Sequence, residues 1–184
     1  MKISNYFLIA VGGAVSGAAS GFAWRAIDSA GQPEIPTPVQ TVQEVDALPS
    51  FSYPDLEGQL RSSEEFAHKV VVLNFWATWC APCIEEMPSF ERLAAQLENE
   101  PFALVTVNFG EKPSRITPFL EKIDVDVPVL LDTKMKVSKA WVKRGLPTTF
   151  IIDGEQNIRY QVLGEIEWDA PEVIAKIRDL YPAQ

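Results

Sequence analysis

The feature that most constrains this chain is a pair of cysteines at the junction between an apolar run and a helical pattern. Cys80 and Cys83 are its only cysteines, and they follow a β-branched, apolar run over residues 70–76. Such a run is typical of a central strand that is covered on both faces. The residues after the pair repeat apolar side chains at helical spacing as far as Leu97. A C-x-x-C at a strand-to-helix turn indicates a redox-active dithiol.

The position of each cysteine predicts its role. Cys80 is expected at the helix N-terminus, where free N–H groups and the helix dipole stabilise a thiolate and lower its pKa from about 8.5 toward or below 7. Cys83, one turn along, is placed to attack a mixed disulfide formed at Cys80. Pro82 lacks an N–H and suits a first helical turn. A pair of buried structural thiols is the alternative interpretation.

Composition argues against several other kinds of site. Two cysteines are too few for a disulfide scaffold or a four-thiolate zinc site, and one histidine, His68, rules out a multi-histidine metal site. We therefore expect no metal, and His68 is expected at the surface. Sixteen basic and twenty-five acidic residues give a net charge of −9, which argues against a nucleic-acid partner.

The N-terminal residues 1–25 have the pattern of a membrane segment. No charged side chain occurs between Ile3 and Trp24, and a helix over residues 6–24 would be about 28 Å long, close to the roughly 30 Å hydrocarbon thickness. A retained anchor is the favoured interpretation, and a cleaved export signal is the alternative. Either interpretation exports the rest of the chain.

Residues 26–47 are predicted to link this segment to the domain. Three prolines, Pro33, Pro36 and Pro38, stand among polar and acidic residues, which is typical of an extended spacer. A leader that runs along the domain surface is the alternative. The folded domain is expected over residues 48–184.

Strand and helix patterns alternate through this domain. Short strands are expected over residues 51–53 and near residue 60, and a short helix is expected over residues 62–68. After the cysteines, strands are expected at 102–109 and 129–131, and helices at 114–123 and 133–143. This alternation predicts an α/β sheet with parallel neighbours. Strands at 148–152 and 158–163 around an Asp-Gly turn predict a hairpin, with a closing helix at 169–181. The order β-α-β followed by β-β-α is the thioredoxin arrangement.

Two motifs resemble the extracytoplasmic TlpA and ResA-like branch of the thioredoxin superfamily. The first is Phe75-Trp76-Ala77-Thr78-Trp79-Cys80-Ala81-Pro82-Cys83 with Glu85-Glu86-Met87-Pro88, and the second is Gly145-Leu146-Pro147-Thr148-Thr149-Phe150-Ile151-Ile152-Asp153. The resemblance covers residue 48 to the C-terminus. It implies a thioredoxin fold, with a central mixed sheet flanked by helices, and an N-terminal anchor.

The resemblance also implies a substrate-binding surface around the cysteines. The bond before Pro147 is expected to be cis, which would place Leu146 and Pro147 beside the cysteine pair to hold the extended backbone of a substrate. Trp79, Ala81 and Pro82 are expected to complete this surface. Trp76 is equally well explained as core packing.

One position departs from cytoplasmic thioredoxins. Asn74 stands where those proteins carry a buried aspartate that serves proton transfer to the resolving cysteine. The TlpA and ResA-like group has an acidic residue at the place of Glu86, and a partly buried carboxylate with a raised pKa could accept the Cys83 proton. The alternative is a solvated first-turn glutamate, a role that suits Glu85 better.

Together these observations predict a thiol-disulfide oxidoreductase that reduces disulfides in exported proteins. No nicotinamide or flavin motif occurs, so no cofactor is expected beyond the Cys80–Cys83 disulfide, and a membrane electron donor would restore the dithiol. The expected location is a bacterial inner membrane with the domain in the periplasm, or the periplasm itself after cleavage. A Cu(I)-binding protein and a peroxiredoxin-like peroxidase are the alternatives.

Overall fold

A computed structural model describes residues 39–41 and 50–182. The predicted anchor over residues 1–25 and most of the predicted linker lie outside these ranges. Within the two ranges, no helix has both the length and the apolar character needed to cross a bilayer.

Six strands form one mixed sheet, and a two-stranded hairpin stands beside it. The strands and helices are β1 Val39–Thr41, β2 Ser52–Pro54, β3 Leu60–Ser62, β4 Val70–Trp76, α1 Ala81–Gln96, β5 Phe102–Phe109, α2 Pro113–Ile123, β6 Val129–Asp132, α3 Lys136–Trp141, β7 Thr148–Ile152, β8 Ile158–Leu163 and α4 Pro171–Arg178, with a short 3₁₀ helix at Ser63–Phe66. The sheet order is β1-β8-β7-β4-β5-β6. Strand β4 is central, parallel to β5 and antiparallel to β7. The predicted α/β sheet with a terminal hairpin is confirmed.

The two faces of the sheet carry separate apolar cores. On one face, Val72 and Trp76 of β4 join a cluster supplied by α1, α2 and α4, which includes Phe90, Ile116 and Ile177. On the other face, Leu73 and Phe75 join a cluster that includes Phe51, Phe66 and the partly buried side chains of α3. Because β4 contributes to both faces, all seven of its residues are buried. The sheet therefore holds the C-terminal end of β4, where the cysteines follow, in a rigid place.

Helices α3 and α4 are shorter than the sequence predicted. Helix α3 begins at Lys136 rather than Thr133, because the buried Asp132 carboxylate accepts hydrogen bonds from the backbone N–H groups of residues 136, 137 and 138. Met135 before it has a left-handed conformation with φ of 53°. The last helix begins at Pro171, since proline suits a first turn, and it ends at Arg178.

Strand β1 lies in the segment for which a spacer or a surface leader was expected. Its backbone pairs antiparallel with β8, with Val39 opposite Val162 and Thr41 opposite Tyr160. This strand was not predicted, because three residues are too few to give a periodic pattern.

Candidate active site

The two cysteines form a disulfide at the end of β4. Their Cα atoms are 5.3 Å apart and the sulfur atoms are bonded. Cys80 caps the N-terminus of α1, and its sulfur accepts a hydrogen bond of 3.4 Å from the Cys83 N–H. Cys83 is fully buried, whereas Cys80 keeps 5% of its surface exposed. The predicted strand-to-helix junction is confirmed, and Cys80 is the more exposed of the two cysteines.

The residues around Cys80 differ in exposure. Ala81 is exposed and Pro82 is half-buried in the first turn of α1. Trp79 has 63% of its surface exposed and is one of only two large apolar side chains that are exposed among the described residues. Trp76, by contrast, is fully buried, which agrees with its core interpretation.

A second segment reaches the same edge of the sheet. Thr148 of β7 pairs with Phe75 of β4, so Pro147 lies beside the end of β4. The Leu146–Pro147 bond is cis, as the resemblance implies. The Pro147 carbonyl accepts a hydrogen bond of 3.1 Å from the Gly164 N–H, which attaches this loop to the end of β8.

Glu86 is a buried acid one turn beyond Cys83 on α1. Its residue exposure is 2%, so the alternative of a solvated first-turn glutamate is wrong, while Glu85 is exposed as expected. Its Oε1 accepts a 2.9 Å hydrogen bond from Asn74 Nδ2, and its Oε2 accepts one of 2.8 Å from Trp168 Nε1. Burial raises the pKa of Glu86 to about 8, although both hydrogen bonds favour the charged form. Glu86 is therefore mainly protonated at neutral pH.

The groups that hold Glu86 come from three parts of the chain. Asn74 on β4 also donates a 2.8 Å hydrogen bond to Thr149 Oγ1 on β7. Trp168 precedes α4 and stacks on Phe90 of α1, with ring centroids 4.8 Å apart. Trp168 and Thr149 were not singled out from the sequence. A tryptophan flanked by acidic residues in the loop 165–169 was the available signal.

A half-buried carboxylate, that of Glu111, holds the loop before Cys80. Glu111 accepts hydrogen bonds from the Thr78 N–H and hydroxyl, at 2.7 and 2.6 Å, and from Asn108 Nδ2 at 3.0 Å. Arg115 Nε lies 2.7 Å from Glu111. Burial acts to raise the pKa of Glu111, but the bonds from Thr78 and Asn108 and the charge of Arg115 outweigh it, so the pKa is lowered. An ionised Glu111 thus fixes the backbone two residues before Cys80, a contact that the sequence analysis missed.

Metal ligands are not clustered in this part of the chain. Within residues 39–41 and 50–182, no group of three or more His, Cys, Asp or Glu side chains is arranged to hold a metal ion.

Sequence comparison gives a family and several relatives. A model of the AhpC/TSA family matches residues 45–161. The thiol-disulfide oxidoreductase ResA of Geobacillus thermodenitrificans is 34% identical over 116 residues, which cover 63% of this chain and 67% of that protein. ResA of Bacillus subtilis is 33% identical over 125 residues, which cover 68% and 70% of the two chains. The thioredoxin-like protein YneN of Bacillus subtilis is 37% identical over 115 residues, covering 61% and 66%.

Solved structures share the fold. A DsbE-type thiol:disulfide interchange protein from Chlorobium tepidum superposes with a TM-score of 0.69 at 26% identity, covering 77% of this chain and all of that one. StoA from Bacillus subtilis, at 24% identity and a TM-score of 0.60, covers 71% and 99% and supports the fold alone. The fold is thus thioredoxin-like. The family match, these relatives and the disulfide at the start of α1 together show that the chain belongs to the AhpC/TSA family, among its ResA-like thiol-disulfide oxidoreductases.

Proposed function

We propose that this oxidoreductase acts as a reductase of disulfides in exported proteins, with Cys80 as nucleophile, Cys83 as resolving cysteine and Glu86 as proton acceptor. The observation that carries the proposal is the buried Glu86, one helical turn beyond a fully buried Cys83, with a pKa of about 8. A protonatable group with a pKa near that of a thiol is what the resolving step requires.

In the first step the Cys80 thiolate attacks one sulfur of a partner disulfide. A bond forms between the two sulfur atoms while the partner's S–S bond breaks, and the partner's other sulfur leaves as a thiolate that takes up a proton. Helix α1 favours the Cys80 thiolate because Cys80 stands at its N-terminus, where unpaired N–H groups and the positive end of the dipole lie.

In the second step Cys83 must lose its proton before it can attack the mixed disulfide. The ionised minority of Glu86 is the form that can accept this proton, and its pKa of about 8 is close to that of an ordinary thiol, so the acid formed can release the proton again. The Cys83 thiolate then bonds to the Cys80 sulfur and releases the partner's second thiolate. In total, two electrons pass from the cysteine pair to the partner, whose two thiolates take up two protons, one in place of the proton lost by Cys83 and one from solvent.

The substrate surface is proposed to consist of Trp79, Ala81, Pro82, Leu146 and Pro147. The exposure of Trp79 and Ala81 and the position of Pro147 beside the end of β4 support this assignment. An extended partner segment that lies across these residues would bring its disulfide to Cys80, the more exposed of the two cysteines.

A membrane dithiol donor is proposed to restore the reduced form. The chain has no nicotinamide or flavin motif, and residues 3–24 lack charge. These features favour anchoring through residues 1–25 in a bacterial inner membrane, with the domain in the periplasm. Cleavage after export would leave the same domain free in the periplasm.

A trapping experiment tests the two cysteine roles. The full chain in detergent, as C83S or C80S, is reduced, freed of reductant and mixed with a peptide that contains one disulfide. We expect C83S to accumulate a mixed disulfide by mass spectrometry, because attack proceeds and resolution cannot, and C80S to accumulate little. Equal trapping by both variants would contradict the assigned roles.

The direction of electron flow is tested by the equilibrium reduction potential of the Cys80–Cys83 pair. A value near or below about −270 mV supports a reductant, and a value near −120 mV would overturn it in favour of an oxidant. Copper retention during purification and peroxide consumption, measured on the same preparation, test the two alternative functions.

A further inference from the structure

Five cations stand together just before Pro147. We define them as the basic rim: Lys134, Lys136, Lys139, Lys143 and Arg144. Residues 133–147 contain no acidic residue, in a chain whose net charge is −9. All five side chains are exposed. The ion pairs found within the described ranges use other basic residues, namely Arg61, Arg92, Arg115, Arg159 and Arg178. Among the described residues, no carboxylate forms an ion pair with a residue of the basic rim.

The fold places the basic rim at the edge of the sheet where the disulfide lies. Strands β4, β5 and β6 are parallel, so their C-terminal ends meet at one edge. Helix α3 follows β6 and packs by Trp141 on Phe75 of β4, with ring centroids 6.5 Å apart. The chain then runs directly to Pro147, which lies beside the end of β4. The rim thus lies at the same edge of the sheet as Cys80.

The opposite side of this surface is acidic. The hydrogen bond between Gly164 and Pro147 joins the loop between β8 and α4 to the far side of Pro147. This loop carries Glu165, Glu167 and Asp169, of which the last two pair with Arg92. Glu85 on α1 is also exposed. The unpaired charge at this edge is therefore divided, with the basic rim toward α3 and Glu85 and Glu165 toward α1 and α4.

The five positive charges of the basic rim repel one another, and no acidic residue within residues 133–147 offsets this repulsion. Such a surface beside a reactive group attracts partners of opposite charge and can raise association rates by about 10 to 1,000-fold at low salt. Resting on the proposed function, we propose that the basic rim docks an acidic protein segment next to the cysteine of the redox partner. Binding to anionic lipid would instead hold the disulfide edge against the membrane and close it to a protein, so a protein partner is favoured.

The test compares partners that differ only in charge. The reduced full chain in detergent is mixed with peptides that carry one disulfide flanked on one side by four Glu, four Gln or four Lys, and with neutral hydroxyethyl disulfide. At low ionic strength we expect the Glu peptide to react at least about tenfold faster than the Gln peptide. The difference should shrink to within about twofold in 1 M salt, where the Debye length is about 3 Å.

Matched variants locate the effect. K136Q/K139Q removes two charges from the basic rim, and K69Q/K122Q removes two exposed charges at the opposite edge of the sheet, before β4 and near the end of α2. We expect the preference for the Glu peptide to fall below about threefold in the first variant only. Reduction of hydroxyethyl disulfide should be unchanged in both, which also shows that both variants fold.

Each contrary outcome has its own meaning. Equal rates for the three peptides, with hydroxyethyl disulfide still reduced, would overturn the docking surface and leave the proposed function intact. Failure to reduce any disulfide would overturn the proposed function and the docking surface with it. If the chain shows no preference among the peptides, and binds phosphatidylglycerol vesicles more strongly than phosphatidylcholine vesicles in a way that K136Q/K139Q abolishes, the rim is a lipid-binding surface instead.

Discussion

Trp168 donates its indole N–H to Oε2 of Glu86 over 2.8 Å, although 82 positions separate the two residues along the chain. The other carboxyl oxygen accepts a hydrogen bond from the neutral amide of Asn74. Both donors are uncharged, so the ionised form of Glu86 is stabilised by hydrogen bonds but by no nearby positive charge, while burial disfavours it. This is why its pKa stays near 8 instead of falling below the ordinary value.

Replacement of Trp168 tests this contact directly. W168F keeps a ring beside Phe90 but deletes the N–H, so the ionised form of Glu86 loses one of its hydrogen-bond donors and its pKa should rise by roughly one unit. The carboxyl carbon of Glu86, followed by NMR against pH, measures this shift. W76F is the control, because the Trp76 indole N–H bonds Thr106 Oγ1 rather than Glu86. Equal shifts in the two variants would refute the specific role of Trp168.

The pH dependence of stability should report the raised pKa of Glu86. The pKa is about 8 in the folded chain and near its ordinary value of 4.5 in the unfolded chain. Between these values the native state holds a proton that the unfolded state has released, so the free energy of unfolding falls as pH rises through this window. E86Q lacks this slope, because its amide does not titrate.

We therefore expect the stabilities of wild type and E86Q to cross. Near pH 5 we expect E86Q to be less stable than wild type by about 1 to 3 kcal/mol. The amide N–H₂ cannot accept a hydrogen bond, so either Asn74 or Trp168 loses its acceptor. Near pH 8.5 E86Q should be the more stable of the two, since the wild type then holds a buried anion. Urea unfolding of the oxidised proteins measures both, with the exposed E85Q as control. Parallel stability curves for wild type and E86Q would contradict the raised pKa.

Glu111 should matter for stability through the Thr78 backbone. E111Q loses the charge that Arg115 faces and weakens the acceptors for the Thr78 N–H and hydroxyl, so we expect about 2 kcal/mol lower stability and faster hydrogen exchange at the Thr78 amide. E167Q is the control, since it breaks the exposed ion pair between Glu167 and Arg92 and should change stability by less than about 1 kcal/mol. Unchanged exchange at Thr78 would show that Glu111 does not hold this loop.

Trp79 should affect reaction with proteins and leave stability nearly unchanged. Its ring is 63% exposed, so W79A removes little buried area and should shift the unfolding free energy by less than about 0.5 kcal/mol. Reduction of a protein disulfide should slow several-fold, because an exposed aromatic contact is lost, while hydroxyethyl disulfide should react at the wild-type rate. Equal slowing with both substrates would place Trp79 in the chemistry instead of in binding.

The sequence predicted the sheet, the hairpin and the cysteine junction because these features are local. An apolar run such as residues 70–76 or an Asp-Gly turn signals its structure within a few residues. Burial of Glu86 was anticipated only from the family resemblance. Glu86 lies between the exposed Glu85 and the buried Met87, so its neighbours in the chain do not indicate whether it is covered.

The remaining features depend on contacts between distant segments. Glu111 and Thr78 meet because β4 and β5 are parallel neighbours whose ends coincide, and no spacing in the sequence records this. Helix α3 begins late because the Asp132 carboxylate accepts hydrogen bonds from the first N–H groups of the helix and so caps it at Lys136. Local propensity favoured a longer helix, and a single buried side chain decided otherwise.

Both outer strands of the six-stranded sheet are short. Strand β1 has three residues, and β6 has four, with Pro128 directly before it and an isolated bridge from Asp55 to Leu130 on its outer side. Long, flat, unpaired edges recruit extended chains by strand addition and so promote aggregation. A thiol-disulfide oxidoreductase acts on protein chains that contain thiols or disulfides, so it is exposed to that hazard. The short edges limit it, so encounters with such chains lead to sulfur exchange at the end of β4 and not to growth of the sheet.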